Sequence, residues 1–102
     1  MSISANEIAE ALAHTIEVGE DTLVAHLNDG RTISVPVAWF PRLLHATPEE
    51  RSNCRLIGNG EGIHWPDLDE DISVASLLAG RASGETAESL RRWLDQRAST
   101  RK

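Results

Sequence analysis

The chain of 102 residues contains no tyrosine, one phenylalanine and one cysteine, Cys54. A single cysteine excludes an intrachain disulfide and is typical of proteins from a reducing compartment. No run approaches the roughly 20 apolar residues that a membrane-spanning helix needs. The N-terminus lacks the basic and apolar regions of a signal peptide. We therefore expect a cytoplasmic protein without membrane contact.

Positive charge is scarce where negative charge is concentrated. Residues 56–80 contain five acidic residues and no lysine or arginine, whereas residues 81–102 contain six basic and three acidic residues. The formal net charge of the chain is −6. Direct binding to a phosphate backbone usually requires a broad basic face, and only the C-terminal segment offers basic residues in quantity.

The first half of the chain has the pattern of a three-stranded meander. A chain of this length predicts one domain over residues 1–102, with frayed ends at about 1–13 and 98–102. After a short predicted helix within 4–14, alternating and β-branched residues predict strands near 14–18, 22–28 and 31–35. Asp29–Gly30 predicts a type I′ turn, in which both central residues have positive φ. The predicted core face carries Leu23, Ala25, Leu27, Ile33 and Val35.

Two short helices are predicted next from proline and capping signals. Pro41 is compatible only with the first turn of a helix, which predicts a helix over about 40–45 with Leu43 and Leu44 facing inward. Thr47, Pro48 and Glu50 form the pattern of a capping box.

The stretch LIGNGEGIHWPDLDEDISV, residues 56–74, combines five carboxylates with one histidine and three glycines. Asn59–Gly60 predicts a hairpin that pairs residues 54–58 with 62–66. The acids of residues 67–71 are then expected in a loop before a helix that Ser73 caps and Gly80 ends. There they interact favourably with the helix dipole, so no ligand is needed to explain them.

An amphipathic C-terminal helix completes the predicted fold. Ser83 or Thr86 caps it, and its apolar stripe consists of Ala87, Leu90, Trp93 and Leu94. The sequence thus predicts an α+β fold: a small antiparallel sheet formed by a three-stranded meander plus a hairpin, with short helices and this C-terminal helix.

The acidic stretch does not match the patterns of metal, phosphate or catalytic sites. Asp67, Asp69 and Asp71 alternate as in a calcium loop, but position 72 is not glycine and Leu78 replaces the bidentate glutamate. His64 has no second histidine or cysteine at zinc-ligand spacing. The glycines precede IHWP, which cannot open a helix over a phosphate. We expect no metal, no cofactor, no catalytic residue and no enzymatic activity.

A contact surface is the remaining interpretation. Trp and Arg are the residues most often found at interface hot spots, although we expect at least two of Trp39, Phe40 and Trp65 in the core. The predicted partner is a basic protein. The predicted contact residues are Trp39, Arg42, His64, Trp65, Asp67, Asp69, Glu70 and Asp71.

Two other functions stay open at this point. In the first, Arg91, Arg92 and Arg97 contact nucleic acid, as in a transcriptional regulator. In the second, the acidic chain mimics nucleic acid and inhibits a DNA- or RNA-binding protein. Faces around Val35–Phe40 and Trp93 would support a homodimer.

The segments DGRTISVPVAWFPRLLHATPEER, LIGNGEGIHWPDLDEDISVASLLAGR and SGETAESLRRWL resemble the small bacterial domain-of-unknown-function family 2442 over about residues 23–94. The resemblance implies a compact α+β domain of the bacterial cytoplasm. Some members carry a helix-turn-helix extension and some are encoded beside a small toxin-like partner, which implies an antitoxin-like or regulatory role. It implies no catalytic residue. Cys54 departs from the family pattern, since a bulkier residue is expected there, and the end at Lys102 leaves no room for a DNA-binding extension.

Overall fold

The structure is a computed structural model that describes residues 11–100, and side chains up to residue 98. It contains two three-stranded antiparallel sheets, in the orders β1-β2-β3 and β4-β5-β6. The strands are β1 (Ala13–Val18), β2 (Thr22–Leu27), β3 (Thr32–Pro36), β4 (Arg55–Ile57), β5 (Gly62–Trp65) and β6 (Glu70–Ser73). The helices are α1 (Pro41–Leu44), α2 (Pro48–Ser52), α3 (Val74–Leu78) and α4 (Ala87–Thr100), and 3₁₀ turns occupy Val37–Trp39 and Gly58–Gly60. The predicted α+β class is confirmed.

The first sheet is the predicted meander. Leu23, Ala25 and Leu27 are buried on one face of β2, as their alternation predicted, and Val35 of β3 lies opposite Leu23. Most of the helix predicted over 4–14 lies outside the described residues. Its last two positions, Ala13 and His14, belong to β1.

The predicted type I′ turn at Asp29–Gly30 is wrong. Gly30 has a φ of 95°, but Asp29 is not at positive φ. The amide of Gly30 donates to Leu27 O and the amide of Leu27 to Arg31 O, which leaves a three-residue loop ending in a left-handed glycine. Asp29 instead accepts hydrogen bonds from the backbone and side-chain nitrogens of Arg31, which favour this turn.

The second sheet has one strand more than the predicted hairpin. Residues 67–71 were expected in a loop before a helix capped by Ser73, but residues 70–73 form β6, with Ile72 opposite Ile63 of β5. EDIS is too short and too acidic to predict a strand by itself. Its pairing partner β5 supplies the missing signal, because a buried strand edge must satisfy its N–H and C=O groups.

The core lies between the two sheets and is closed by the short helices. Trp65, Leu23, Leu27, Leu43, Ile63 and Leu68 have less than 2% of their surface exposed. The indole Nε1 of Trp65 donates to Arg51 O over 3.0 Å, so the buried ring leaves no polar atom without a partner. Leu44 was predicted to face inward, but 45% of it is exposed. The single turn of α1 directs only Leu43 into the core.

The predicted helix caps are present and set where the chain turns. Thr47 and Glu50 form the capping box of α2. Ser73 accepts from the amide of Ser76 at the start of α3. Gly80 follows α3 with a φ of 72°, and its amide donates to Leu77 O while that of Arg81 donates to Ser76 O. This is a Schellman motif, which turns the chain toward α4.

Gly60, in the turn between β4 and β5, lies close to the backbone of β1 and gives a test of the fold. A Cβ at Gly60 would lie 2.3 Å from Ala13 O, and the φ of Gly60 is 103°. We expect Gly60→Ala to lower the free energy of unfolding by more than about 3 kcal/mol, because backbone strain and a backbone collision add. Urea unfolding followed by circular dichroism measures the change.

Gly30→Ala is the matched control. Gly30 also has positive φ, but nothing lies within 4 Å of a Cβ placed there. Strain alone should cost about 1–2 kcal/mol. Equal losses in the two variants would contradict the close contact between Gly60 and β1.

Candidate functional site

The predicted contact residues of the acidic stretch surround the turn between β5 and β6. We call Asp67, Asp69, Glu70 and Asp71 the acidic segment. Leu68 is completely buried between them and anchors the turn in the core. Asp69 has a φ of 51°, a conformation that aspartate tolerates better than most residues. The turn therefore presents Asp67 and Asp69 outward on a backbone that Leu68 fixes.

Two polar side-chain contacts hold the acidic segment. Asn53 Nδ2 donates to Asp67 Oδ2 over 2.9 Å. Asp71 lies opposite His64 in the sheet, and Asp71 Oδ1 is 2.6 Å from His64 Nδ1. The side chain of Asp71 remains 67% exposed while that of His64 is 22% exposed. The carboxylates thus have defined positions and remain accessible to solvent.

Glu70 differs from its neighbours because it is half-buried. Burial raises the pKa of its carboxyl group, the charge of Arg42 opposes this, and the charge of Glu85 adds to it. Glu70 lines an open cavity of about 220 Å³ together with Phe40, Ser76, Arg81 and Ser83. The cavity is smaller than the roughly 300–1,000 Å³ usual for small-molecule sites.

The two tryptophans predicted as contact residues differ in their exposure. Trp65 has no exposed surface, so its predicted role as a contact residue is wrong for this conformation. Its position in a central strand, with a hydrogen bond from the indole to Arg51 O, makes it a core residue. Trp39 is half-buried against the core, and its carbonyl accepts from the amide of Ser83.

Arg42 is directed into the molecule rather than toward a partner. Its Nη1 donates to Leu68 O and Asp69 O, each over 3.1 Å. Its Nε and Nη2 bind both oxygens of Glu85, over 2.7 and 3.0 Å. The two side chains are only 17% and 8% exposed. Arg42 therefore fixes the acidic segment from behind and links it to the segment before α4.

A second arginine pair fastens α4. Arg97 donates from Nη1 and Nη2 to the two carboxylate oxygens of Glu50, over 3.0 and 2.8 Å. The buried Trp93 contacts both pairs, with the guanidinium carbons of Arg42 and Arg97 at 5.2 and 4.6 Å from its ring centroid. The C-terminal helix and the segment before it are thus held by charge-assisted hydrogen bonds of two arginines that both contact one indole.

The three arginines predicted to contact nucleic acid differ in their exposure. Arg97 is half-buried in its pair with Glu50, so it is not part of an exposed basic face. Arg91 and Arg92 are exposed, and Arg92 Nη1 lies 3.8 Å from Glu88 Oε1. The exposed face of α4 therefore offers two arginines, and Arg92 lies near an acid.

Most of the apolar residues on the predicted dimer faces are buried in the core. Val35, Val37, Phe40 and Trp93 are buried within the described chain, so these four side chains do not form an apolar surface. Trp39 of the predicted Val35–Phe40 face is half-buried, and a homodimer stays a prediction. Their alternation and helical spacing predicted apolar faces, but only packing decides what covers such a face.

Sequence reasoning missed the partners that hold the arginines. Glu85 lies 43 positions from Arg42, and Glu50 lies 47 positions from Arg97. No spacing rule links residues this far apart. One local signal was present. The predicted capping box already directed the carboxylate of Glu50 back toward the chain.

The remaining chemistry of the described residues is limited. Cys54 is half-buried and burial raises the pKa of its thiol, which keeps it protonated and weakly reactive at neutral pH. Among residues 11–98, no group of three or more His, Cys, Asp or Glu side chains is arranged to hold a metal ion. None of the helices in the described part of the chain has the length and apolar character to cross a membrane.

Comparison with known proteins identifies the family. A family model described as "Protein of unknown function (DUF2442)" matches residues 13–83. The chain belongs to this family. The DUF2442 match includes both sheets, Arg42 and the acidic segment, and ends before Glu85 and α4. No curated protein matches the chain.

Two solved structures are similar to this DUF2442 member. A crystal structure of a protein of unknown function from Rhodospirillum rubrum is 25% identical, with a TM-score of 0.66, over 79% of this chain and 98% of that one. A solution structure of an uncharacterised protein from Chromobacterium violaceum is 23% identical, with a TM-score of 0.63, over 90% and 95% of the two chains. They support the fold and assign no activity.

The Arg42–Glu85 pair gives a pH-dependent prediction. Arg42 lowers the pKa of Glu85 below its ordinary value of 4.5. The pair's stabilisation is therefore complete above that pH and is lost as the pH falls through the folded-state pKa. We expect Glu85→Gln to lower the free energy of unfolding by about 2 kcal/mol at neutral pH, as for other hydrogen bonds to charged groups. Urea unfolding at neutral pH and at about pH 3 should show this difference shrink in acid.

Glu88→Gln is the control for this experiment. Glu88 pairs with Arg92 on the exposed face of α4, so its loss should cause no measurable change at either pH. A difference for Glu85→Gln that is constant with pH would contradict a role for its ionised carboxylate.

Proposed function

We propose that this DUF2442 member is a non-enzymatic, antitoxin-like interaction domain of the bacterial cytoplasm that binds a basic protein partner through its acidic segment. The observation that carries the proposal is the turn itself. Asp67, Asp69 and Asp71 are exposed, while Arg42, Leu68 and Asn53 fix the backbone and side chains around them. A preorganised group of like charges loses little conformational entropy when it binds an oppositely charged surface.

The distribution of cations supports the same partner. Arg42, Arg51 and Arg97 all use their guanidinium groups on carbonyl or carboxylate oxygens within the chain. Within the described residues, no arginine forms an ion pair with Asp67, Asp69 or Asp71. The outward field near the turn is therefore negative, which steers a basic protein toward it and accelerates association.

Binding is better supported than catalysis by the shape of the site. Asp67, Asp69 and Asp71 lie on an exposed turn and strand, and the neighbouring cavity is open and small. Catalytic groups usually require a cleft that excludes water. The antitoxin-like role and the cytoplasmic location come from the family resemblance and the single cysteine, and both belong to the proposal.

Nucleic-acid binding through α4 has weaker support. Of the three arginines predicted for it, Arg97 is held by Glu50 and Arg92 lies near Glu88. Salt-sensitive DNA retention that is lost in Arg91→Ala with Arg92→Ala would favour this rival.

The proposal is tested by neutralising the exposed acids without changing their shape. The triple variant Asp67→Asn, Asp69→Asn, Asp71→Asn keeps side-chain size, and asparagine tolerates the positive φ of position 69. We expect it to lose a basic protein retained by the wild-type chain from a lysate, with an association rate at least about tenfold lower for the purified pair. Surface plasmon resonance at two salt concentrations measures the rate.

The matched control removes three other exposed acids. The control variant is Glu20→Gln, Asp21→Asn, Asp95→Asn. Its three positions lie in the β1–β2 turn and on α4, and it changes the net charge by as much as the first triple variant. The control should bind as the wild type does. Equal losses of binding in both triple variants would mean that only the net charge matters. That result would contradict the acidic segment as the binding site. If the retained protein binds DNA and DNA competes for it, the chain acts as a nucleic-acid mimic.

A further inference from the structure

A cavity lies between the free edge of β6 and the segment 81–84 that leads to α4. Val74 N donates to Glu61 O, and hydrogen-bonded and non-hydrogen-bonded pairs alternate along an antiparallel ladder. The backbone N–H and C=O groups of Asp71 and Ser73 therefore point away from β5, and both residues line the cavity. No described strand pairs with this side of β6. One wall of the cavity is thus a strand edge with polar backbone groups.

The opposite wall is fixed by hydrogen bonds and carries hydroxyl donors. The amide of Arg81 donates to Ser76 O. The hydroxyl oxygens of Ser76 and Ser83 accept hydrogen bonds, the first from Ser73 Oγ and the second from the amide of Glu85. Each of the two hydroxyl groups therefore keeps its own hydrogen for donation to a ligand.

Two charged side chains of opposite sign line the cavity without pairing. Glu70 is half-buried and Arg81 is exposed. Within the described residues, neither of them forms an ion pair. The amide of Asp71 donates to the Glu70 carboxylate, which places that carboxylate at the strand edge. The cavity therefore keeps an acid apart from a base, and the half-buried acid would gain from a cation beside it.

The other charges near the cavity already have partners. Arg42 and Glu85 act on Glu70 through their charges, but they bind each other over 2.7 Å. The carboxylate of Asp71 lies beside His64 on the outer face of the sheet, so Asp71 borders the cavity with its backbone. The charges available to a ligand are those of the unpaired acid and the unpaired base.

These charges and the volume decide the occupant. A simple cation would face the guanidinium group of Arg81, and a simple anion would face the carboxylate of Glu70. A neutral molecule would displace water from both charges without replacing its hydrogen bonds. A molecule with one positive and one negative group matches both. The cavity of about 220 Å³ has the volume of about seven waters at roughly 30 Å³ each, so such a molecule has only a few carbon atoms.

We propose that this cavity binds a small aliphatic zwitterion, a free amino acid, with its ammonium group at Glu70 and its carboxylate at Arg81. The carbonyl of Asp71 is a second acceptor for the ammonium group. The hydroxyl groups of Ser76 and Ser83 are further donors to the carboxylate. Hydrogen bonds of this kind, in which both partners are charged, are stronger than neutral ones. The inference goes beyond the proposed function and does not depend on it.

Amide chemical shifts of the ¹⁵N-labelled full chain test the site directly. The probes are glycine, β-alanine and 4-aminobutanoate, whose charged groups are separated by increasing numbers of carbon atoms. We expect at least one of them to produce saturable shifts at Asp71, Ser73, Ser76 and Arg81. The amine and the carboxylic acid of the same chain length, each lacking the other charge, should bind at least about tenfold more weakly.

Two variants each remove one charge and keep the side chain polar. In Glu70→Gln, the zwitterion should bind no more tightly than the acid alone. In Arg81→Gln, it should bind no more tightly than the amine alone. The control, Glu88→Gln with Arg92→Gln, removes an acid and a base from the exposed face of α4 and should bind as the wild type does. Thermal unfolding confirms that the variants fold, and the matched probes test the wild-type chain without any substitution.

Four results would each contradict a zwitterion site. The absence of saturable shifts with all three probes would exclude it. Equal binding of the amine would make the cavity a site for a cation, and equal binding of the acid would make it a site for an anion. Shifts that persist unchanged in both Glu70→Gln and Arg81→Gln would place the ligand elsewhere. None of these measurements involves the partner protein, so the inference and the proposed function fail independently.

Discussion

The geometry of this molecule depends on the interactions of the Arg42 guanidinium group. It donates to the carbonyls of Leu68 and Asp69, binds both carboxylate oxygens of Glu85 and lies over the ring of Trp93. A largely buried cation needs such partners, because its desolvation is costly unless hydrogen bonds replace water. One side chain therefore joins the start of α1, the turn between β5 and β6 and the segment that leads to α4.

This use of arginine separates the charges of the molecule. The guanidinium groups of Arg42 and Arg97 are turned inward and shared with Glu85 and Glu50. The acids of the β5–β6 turn remain outside, where solvent reaches them. The acids of this turn thus form a localised negative surface, since the cation of Arg42 is used to hold the backbone behind them. The inward contacts of Arg42 therefore account for both the rigidity and the negative charge of this turn.

The buried core and the exposed groups lie on different strands of the two sheets. The first sheet buries Leu23, Ala25 and Leu27 and shares the core with Trp65 and Ile63 of the second. The sheets approach so closely at Gly60 that no side chain fits against Ala13. Because β5 is central in the second sheet and already buried, its neighbours β4 and β6 carry the exposed groups. The candidate contact residues are therefore on short edge elements fixed by a packed centre.

The sequence by itself determined the elements whose signals are local. Alternation placed Leu23, Ala25 and Leu27 in the core, Thr47 and Glu50 formed their capping box, and Ser73 and Gly80 bounded α3 as predicted. Tertiary structure decided the rest. β6 exists because β5 offers it an edge, Trp65 is buried because β5 is central, and Arg42 meets Glu85 across 43 positions. Local patterns report torsional preferences and the periodicity of burial within a few residues. Strand edges and buried charges are satisfied by whichever group the fold brings near, and no residue spacing contains that information.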